Sequence, residues 1–214
     1  MNSILLIASP GAGKGIISDY LENKYNLIHL STGNLLREAA SIDNDLSNKL
    51  KSGDLIDDEY VFRLVSDFLK KNNDKNFTFD GFPRTMNQVK NFENIIKKNN
   101  VIVDKVIFID IDKEIAINRI TSRIICDKCG HVFNKNIDNI TSDICPLCKG
   151  NLYTRSDDTE KVFLDRYDTF INDTMPIINY FKNNYKFYEI SNNSDLQTLY
   201  LNIDSILKED EIKW

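Results

Sequence analysis

A chain of 214 residues can bury a sizeable core, and it suits one domain with insertions or two small ones. Its 42% hydrophobic and 28% charged residues are those of a soluble globular protein, with no apolar run of membrane-spanning length. A formal net charge of -5 argues against nonspecific binding to nucleic acid or to anionic membranes.

The first apolar run, Ile4 to Ile7, lies in a predicted strand over Ser3–Ala8 and is too short for a core helix. It has no basic leader, so a signal peptide is not expected and a cytoplasmic location is. Pro10-Gly11-Ala12-Gly13 then breaks the chain, and Lys14 opens a helix. Strand, glycine-rich turn, lysine and helix make a phosphate cradle: backbone N–H groups share one concavity, and the helix N-terminus and the lysine add positive charge. The pattern G-x-x-x-x-G-K-[ST] is met imperfectly. Ala8 replaces the first glycine, Gly15 follows the lysine, and Ile16 comes next, so a magnesium-binding hydroxyl is missing at both positions. An ordinary strand-to-helix turn accounts for the same glycines and proline.

Further strands are predicted at Leu27–Leu30, Phe77–Asp80, Lys105–Asp110 and Phe187–Ile190. Helices are predicted at Lys14–Lys24, Thr32–Ala40, Asp57–Lys71, Thr85–Lys98, Lys113–Arg123, Thr159–Asn183 and Asp195–Lys208. This alternation is that of an α/β fold with a five-stranded parallel sheet flanked by helices. Asparagine pairs at 72–73, 99–100, 183–184 and 192–193 read as punctuation, because asparagine tolerates a left-handed helix stop. Residues 31–60, mostly helical, and 124–158, which carry the cysteines, fit the alternation poorly. Both read as insertions at the C-terminal ends of strands, where ligands of such sheets bind, which leaves 1–30, 61–123 and 159–214 as the core.

Cys126, Cys129, Cys145 and Cys148 give C-x2-C-x15-C-x2-C. In a reducing compartment, paired C-x-x-C knuckles read as a tetrahedral zinc site. Redox dithiols or disulfides are the weaker alternatives, because each knuckle is followed by a turn-like Lys-Gly or Gly. Four thiolates leave no open position on the ion, so the site is structural; an insertion of this size has too small a core to hold its shape unaided.

Ser31-Thr32-Gly33-Asn34-Leu35-Leu36-Arg37 follows the second strand, and Asp80-Gly81-Phe82-Pro83-Arg84-Thr85 follows the third, with Gln88 one turn later. Arg119 and Arg123 are spaced i, i+4 on one predicted helix face, and Arg155, Asp157-Asp158 and Arg166 lie past the cysteines. Together with the glycine loop, this constellation resembles the adenylate kinases, in the variety whose lid carries a zinc ribbon. The likeness runs from Ser3 to the last strand. The departures are Ala8, Ile16 and Asn34, where that family usually shows Gly, Thr and Asp.

The resemblance implies a nucleoside monophosphate kinase that converts ATP and AMP to two ADP, as a monomer and with magnesium. Gly11, Ala12, Gly13, Lys14, Gly15 and Ile16 would hold the donor phosphates. Arg119, Val132, Phe133 and backbone near Ser194 would receive the donor nucleoside. Thr32, Arg37, Gly81, Phe82, Pro83, Arg84 and Gln88, with backbone from Asp54, Leu55 and Ile56, would hold AMP in the 31–60 insertion. Arg84, Arg123, Arg155 and Arg166 would surround the transferred group, Asp80 would orient magnesium through water, and residues 124–158 would form the lid.

The residue chemistry agrees with this. Joining two polyanions calls for positioning and charge neutralisation, and an acceptor that is already an anion needs no general base. The two histidines, His29 and His131, sit outside the motifs. Arg119 and Arg123 taken alone read as a solvated helix face, and Asp157 and Asp158 as caps of the next helix.

Two other functions stay open at this point. A zinc-ribbon module binding nucleic acid is disfavoured, because Asp127, Asp138 and Asp143 balance Lys128, Lys135 and Lys149 between Cys126 and Gly150. A GTP-preferring AMP kinase is not excluded. Ala8 is expected to cost about 1 kcal/mol if the turn needs a left-handed residue there. Ile16 forgoes a phosphate hydrogen bond worth about 1.5–3 kcal/mol, and neither loss abolishes catalysis.

Overall fold

Short apolar runs of this chain become strands, the central ones buried on both faces, and the longer amphipathic stretches become helices that cover them. The computed structural model describes residues 2–52 and 56–208. In chain order it contains β1 (Ser3–Ala8), α1 (Lys14–Tyr25), β2 (Ile28–Ser31), α2 (Thr32–Ala40), α3 (Asn44–Ser52), α4 (Asp58–Lys71) and β3 (Phe77–Asp80). There follow α5 (Met86–Lys98), β4 (Val103–Asp110), α6 (Lys113–Thr121), β5 (Arg123–Cys126), β6 (Val132–Asn134) and β7 (Leu152–Tyr153). The chain continues through α7 (Glu160–Thr169), a π-helical segment (Phe170–Thr174), α8 (Met175–Asn184), β8 (Lys186–Ser191) and α9 (Leu196–Lys208).

Five strands form one parallel sheet in the order β2-β3-β1-β4-β8, and β6-β5-β7 form a small antiparallel sheet. All six residues of β1 are buried, and they alternate between two cores as strand geometry requires. Leu5 and Ile7 face the layer of Val65 and Leu69 from α4, Phe92 from α5 and Phe181 from α8. Ile4, Leu6 and Ala8 face Ile17 and Leu21 from α1, Ala116 from α6 and Ile203 from α9. Each such side chain contributes about 1.5–3 kcal/mol by leaving water. From β1 the chain runs to the β2 side of the sheet and crosses to β4 only after β3, so a crevice opens at the C-terminal end of β1.

Several predicted elements need correction. Helix α6 stops at Thr121, and Arg123 starts β5, paired with Asn134. Arg119 and Arg123 therefore do not share a helix face: Ser122 leaves the helix at φ -98° and ψ 2°. The long helix predicted over Thr159–Asn183 is interrupted by the π-helical turn, just before Pro176, which has no N–H to give the carbonyl four residues back. Asn100 has the left-handed φ expected of a helix stop, +53°, while Asn72 caps α4 at -123°. Ala8 lies in β1, in register with Ile109, and the left-handed positions of the loop are Gly11 (+83°) and Gly13 (+81°). The expected cost at Ala8 therefore does not arise.

The two glycines Gly11 and Gly15 give a contrast. A Cβ on Gly11 would sit 2.9 Å from Ala116 Cβ at a left-handed φ, whereas one on Gly15 would meet nothing within 4 Å. Gly11→Ala is expected to lower stability by about 2 kcal/mol. Gly15→Ala, at the start of α1, should leave it unchanged or raise it by up to about 1 kcal/mol. Equal shifts of the two urea midpoints would show that the contact with Ala116 is unimportant.

Candidate functional site

The glycine loop is braced against the end of β4. Ser9 donates its N–H to the Ile109 carbonyl at 3.0 Å and its hydroxyl to Asp110 Oδ1 at 2.6 Å, while Ala12 N–H closes a turn onto Ser9 at 3.1 Å. Helix α1 begins at Lys14 with Gly13 as its N-cap and no side chain on the cap, so its N-terminal N–H groups face the crevice as a partial positive charge. Ile16 is 37% exposed in the first turn.

At the floor of the crevice, Asp80 ends β3. Its Oδ1 lies 3.0 Å from Lys14 Nζ, and its Oδ2 lies 3.1 Å from His29 Nε2 on the neighbouring β2. His29, read as lying outside the motifs, thus belongs to the site. Burial pushes the Asp80 carboxyl up, but the hydrogen bond from His29 and the charge of Lys14 outweigh it and hold the group at about 2. Lys14 does not mirror that gain. Loss of water around its ammonium outweighs the pull of Asp80, Arg84 adds repulsion, and its pKa falls. The carboxylate is the stable member of the group, and Lys14 is a cation short of anionic partners.

On the other side, Gly81 at φ +79° turns its carbonyl to accept from Thr32 Oγ1 at 3.2 Å and from Arg84 Nε at 2.7 Å. A Cβ there would come within 2.9 Å of Arg84 Nη2 and 3.3 Å of Thr32 Oγ1. Phe82 and Pro83 are buried, and Phe82 anchors the turn in the core. Arg84 remains solvent-accessible, yet the protein packed around it lowers its pKa; Asp80 opposes that and nearby Arg166 adds to it. Gln88 Oε1 accepts from Arg84 N–H at 2.9 Å, its Nε2 donates to Asp58 Oδ1 at 2.6 Å, and Thr174 Oγ1 donates to the Arg84 carbonyl at 3.2 Å. Arg37, exposed on α2, reaches Asn34 Oδ1. Ile56 lines a cavity of about 430 Å³ with Asp57 and Tyr60, and Asp54 and Leu55 lie outside the described residues.

Two further arginines are held by acids that follow the small sheet. Arg123 grips Asp158 with two hydrogen bonds, one from Nε to Oδ2 at 2.8 Å, and Asp158 is 6% exposed. Arg166 pairs with Asp157, and Arg155 is exposed nearby. The cap of α7 is Thr159, whose hydroxyl accepts from Val162 N–H, so the two aspartates serve the arginines instead. Arg119 Nη2 donates to the Ser194 carbonyl at 3.3 Å, which brings those two predicted residues together. Phe133 packs inside the small sheet, while Val132 is 40% exposed.

All four cysteine Sγ atoms lie within 4.8 Å of one another, with Cys126 and Cys148 3.4 Å apart and Cys129 and Cys145 3.8 Å apart. A tetrahedral zinc with bonds of about 2.3 Å puts its sulfurs about 3.8 Å apart, and a disulfide needs about 2.05 Å. The group can therefore hold a metal ion such as zinc. Burial raises the Cys126 thiol, but backbone N–H groups of Cys129 and Lys128 overcome this and lower its pKa. At Cys148 the pull of the Gly150 N–H is outweighed by burial and the neighbouring sulfurs, which push that thiol up, so the deprotonation of one thiol disfavours that of the next until a cation is shared. A Cβ on Gly150 would stand 2.9 Å from Cys126 Sγ, so the knuckle closes only around glycine.

Of the residues that sequence reasoning missed, Ser9 after β1, Asp110 ending β4 and Asn192 after β8 lie at strand ends, and His29 lies within β2. For the first three, a position at the C-terminal edge of the sheet was the available signal. A family model described as adenylate kinase matches residues 6–186. The chain is 36% identical over 215 residues to an adenylate kinase of Thermosipho africanus, covering 98% of this chain and 97% of that protein. It is 38% identical over 193 residues to one of Mycoplasma capricolum subsp. capricolum, covering 88% and 90% of the two chains. It is 35% identical over 213 residues to one of Alkaliphilus oremlandii, covering 97% and 99%.

The Asp80 carboxyl has a lower pKa folded than unfolded, so its contribution to stability is complete above about pH 4 and disappears as pH falls through 2. In urea unfolding between pH 5 and pH 2, the unmodified protein should lose about 2 kcal/mol more than Asp80→Asn. Parallel pH profiles would remove the carboxylate from its proposed place at the floor.

Proposed function

The chain belongs to the adenylate kinase family, and we propose that it transfers a phosphoryl group reversibly from ATP to AMP, giving two ADP. The observation that carries this reading is the cation cluster around one buried carboxylate: Lys14 on Asp80, Arg84 beside them, and Arg166 close enough to repel Arg84. Such a cluster neutralises two crowded polyanions. His29 is the histidine at the floor, and its Nε2 is taken up by Asp80, which suits an acceptor that needs no general base.

In this reading the glycine loop and Lys14 bind the β- and γ-phosphates of the donor, and Arg119 lies along its base beside Ser194. Thr32, Arg37 and the Gly81–Arg84 turn bind AMP with residues 31–60, and Gln88 holds Arg84 in register for it. Arg84, Arg123, Arg155 and Arg166 gather around the transferred group, with Asp158 and Asp157 fixing two of those forks. Residues 124–158 close over the cleft and exclude water, and residues 1–30, 61–123 and 159–214 carry the floor. Both Asp80 oxygens already have partners, which suits contact with a hydrated magnesium ion through its water shell rather than direct ligation. Bound magnesium supplies further charge neutralisation on the phosphates. Zinc on Cys126, Cys129, Cys145 and Cys148 stabilises the small sheet and takes no part in chemistry. The reading is of a monomer in the cytoplasm that acts on ATP, AMP and ADP and binds neither nucleic acid nor membrane.

A coupled assay across donor and acceptor nucleotides tests this. ATP plus AMP should be the best pair, and Lys14→Met should reduce kcat by on the order of 100-fold or more. Turnover of the unmodified protein no better than that of Lys14→Met would refute the assignment. Metal analysis should find one zinc per chain, and chelation should lower Tm by about 5 °C or more, at about 2–4 °C per kcal/mol for this chain length. Unchanged stability after the metal is removed would end the structural-zinc reading.

A further inference from the structure

Asn192 follows β8 and carries none of the roles assigned above. Its side chain is buried, with the residue 4% exposed, and Nδ2 donates to the Ala12 carbonyl at 2.9 Å. Its own N–H donates to the Asp110 carbonyl at 2.8 Å, so the amide is fixed to the end of β4. Ala12 is 1% exposed, and water does not replace that donor. Ala12 lies between Gly11 and Gly13, both left-handed. In such a turn the N–H groups line the anion-binding hollow and leave carbonyls on its outer side. Ala12 gives its own N–H to the Ser9 carbonyl and Asn192 satisfies its carbonyl, so both backbone polar groups of this loop residue are tied to the protein.

The next two residues bind other parts of the donor side. Asn193 Oδ1 accepts from Asp112 N–H at 2.9 Å, at the start of α6, and the Ser194 carbonyl accepts from Arg119 Nη2 at 3.3 Å. Three consecutive residues thus join the phosphate loop, the start of α6 and the arginine assigned to the base. We propose that Asn192 is a positioning residue for the donor nucleotide: its amide holds the glycine loop in its anion-binding shape and ties that shape to the segment that receives the base. This role rests on the assignment of the Lys14 loop to the donor.

Removing the amide leaves a buried carbonyl without a partner, and the loop must turn to rehydrate it. The effect should fall on the donor alone, since the hydrogen bonds of Asn192 go to the carbonyls of Ala12 and Asp110, on the donor side. The test is calorimetric binding of ATP and of AMP, measured separately, together with steady-state kinetics of Asn192→Ala, Asn192→Asp and Asn192→Ser. For Asn192→Ala we expect ATP affinity to fall about tenfold, with AMP affinity within twofold of the unmodified protein. Asn192→Asp should lose at least as much, because a carboxylate cannot donate to a carbonyl, and Asn192→Ser, which keeps a donor on a shorter arm, should recover part of the loss. An unchanged ATP affinity, or equal losses for ATP and AMP, would overturn the proposal. If Asn192→Ala fails to fold, Asn192→Ser and Asn192→Asp still decide it, through the order of their ATP affinities at constant AMP affinity. Failure of the unmodified protein to bind ATP would overturn the donor assignment itself, a result separable from any behaviour of the variants.

Discussion

One carboxylate with two cationic or hydrogen-bonding neighbours organises the cleft. Asp80 engages Lys14 with one oxygen and His29 with the other, at the end of β3, which lies between β2 and β1. A buried carboxylate is costly unless every lone pair finds work, and here the partners overcome the cost and keep the group ionised. The balance of charge then favours an anionic ligand. Lys14 has lost water without full compensation, and Arg84 and Arg166 repel each other nearby. A polyphosphate bound as proposed would relieve all of these at once.

The arginines are kept in place by two different devices. Arg84 leans on backbone: Gly81 and Thr174 bracket its turn, and Gln88 accepts from its N–H. Arg123 and Arg166 lean on acids, and the buried Asp158 gives Arg123 a two-point grip that leaves little freedom of orientation. Those acids follow the small antiparallel sheet, whose few buried residues, Ile124, Phe133 and Leu152 among them, surround the cysteine knuckles. So small a core gains from a cross-link, and four convergent thiols can hold the metal ion that would supply one.

Much of this was legible in the chain. Short apolar runs located β1 and β3 to the residue, because a strand buried on both faces permits few polar substitutions. The cysteine spacing announced a four-sulfur cluster, because a knuckle is local geometry. Less legible were Arg123 and His29. Helical spacing placed Arg123 on α6, but the chain leaves the helix at Ser122 to pair with Asn134, a partner chosen by the fold of the insertion rather than by local propensity. His29 carries no motif, and only the parallel pairing of β2 with β3 brings it to Asp80.

What the sequence determined by itself was the five strands of the parallel sheet and most of the helices around it, the family and the inventory of charged groups, since periodicity, glycine placement and cysteine spacing act within a few residues of one another. The tertiary structure alone decided which carboxylate each cation meets, that Ala8 is ordinary strand, and that Asn192 reaches across to Ala12. Those contacts join residues far apart in the chain, and their geometry comes from strand order and from the close packing of the loop on α6, neither of which is written in any local stretch.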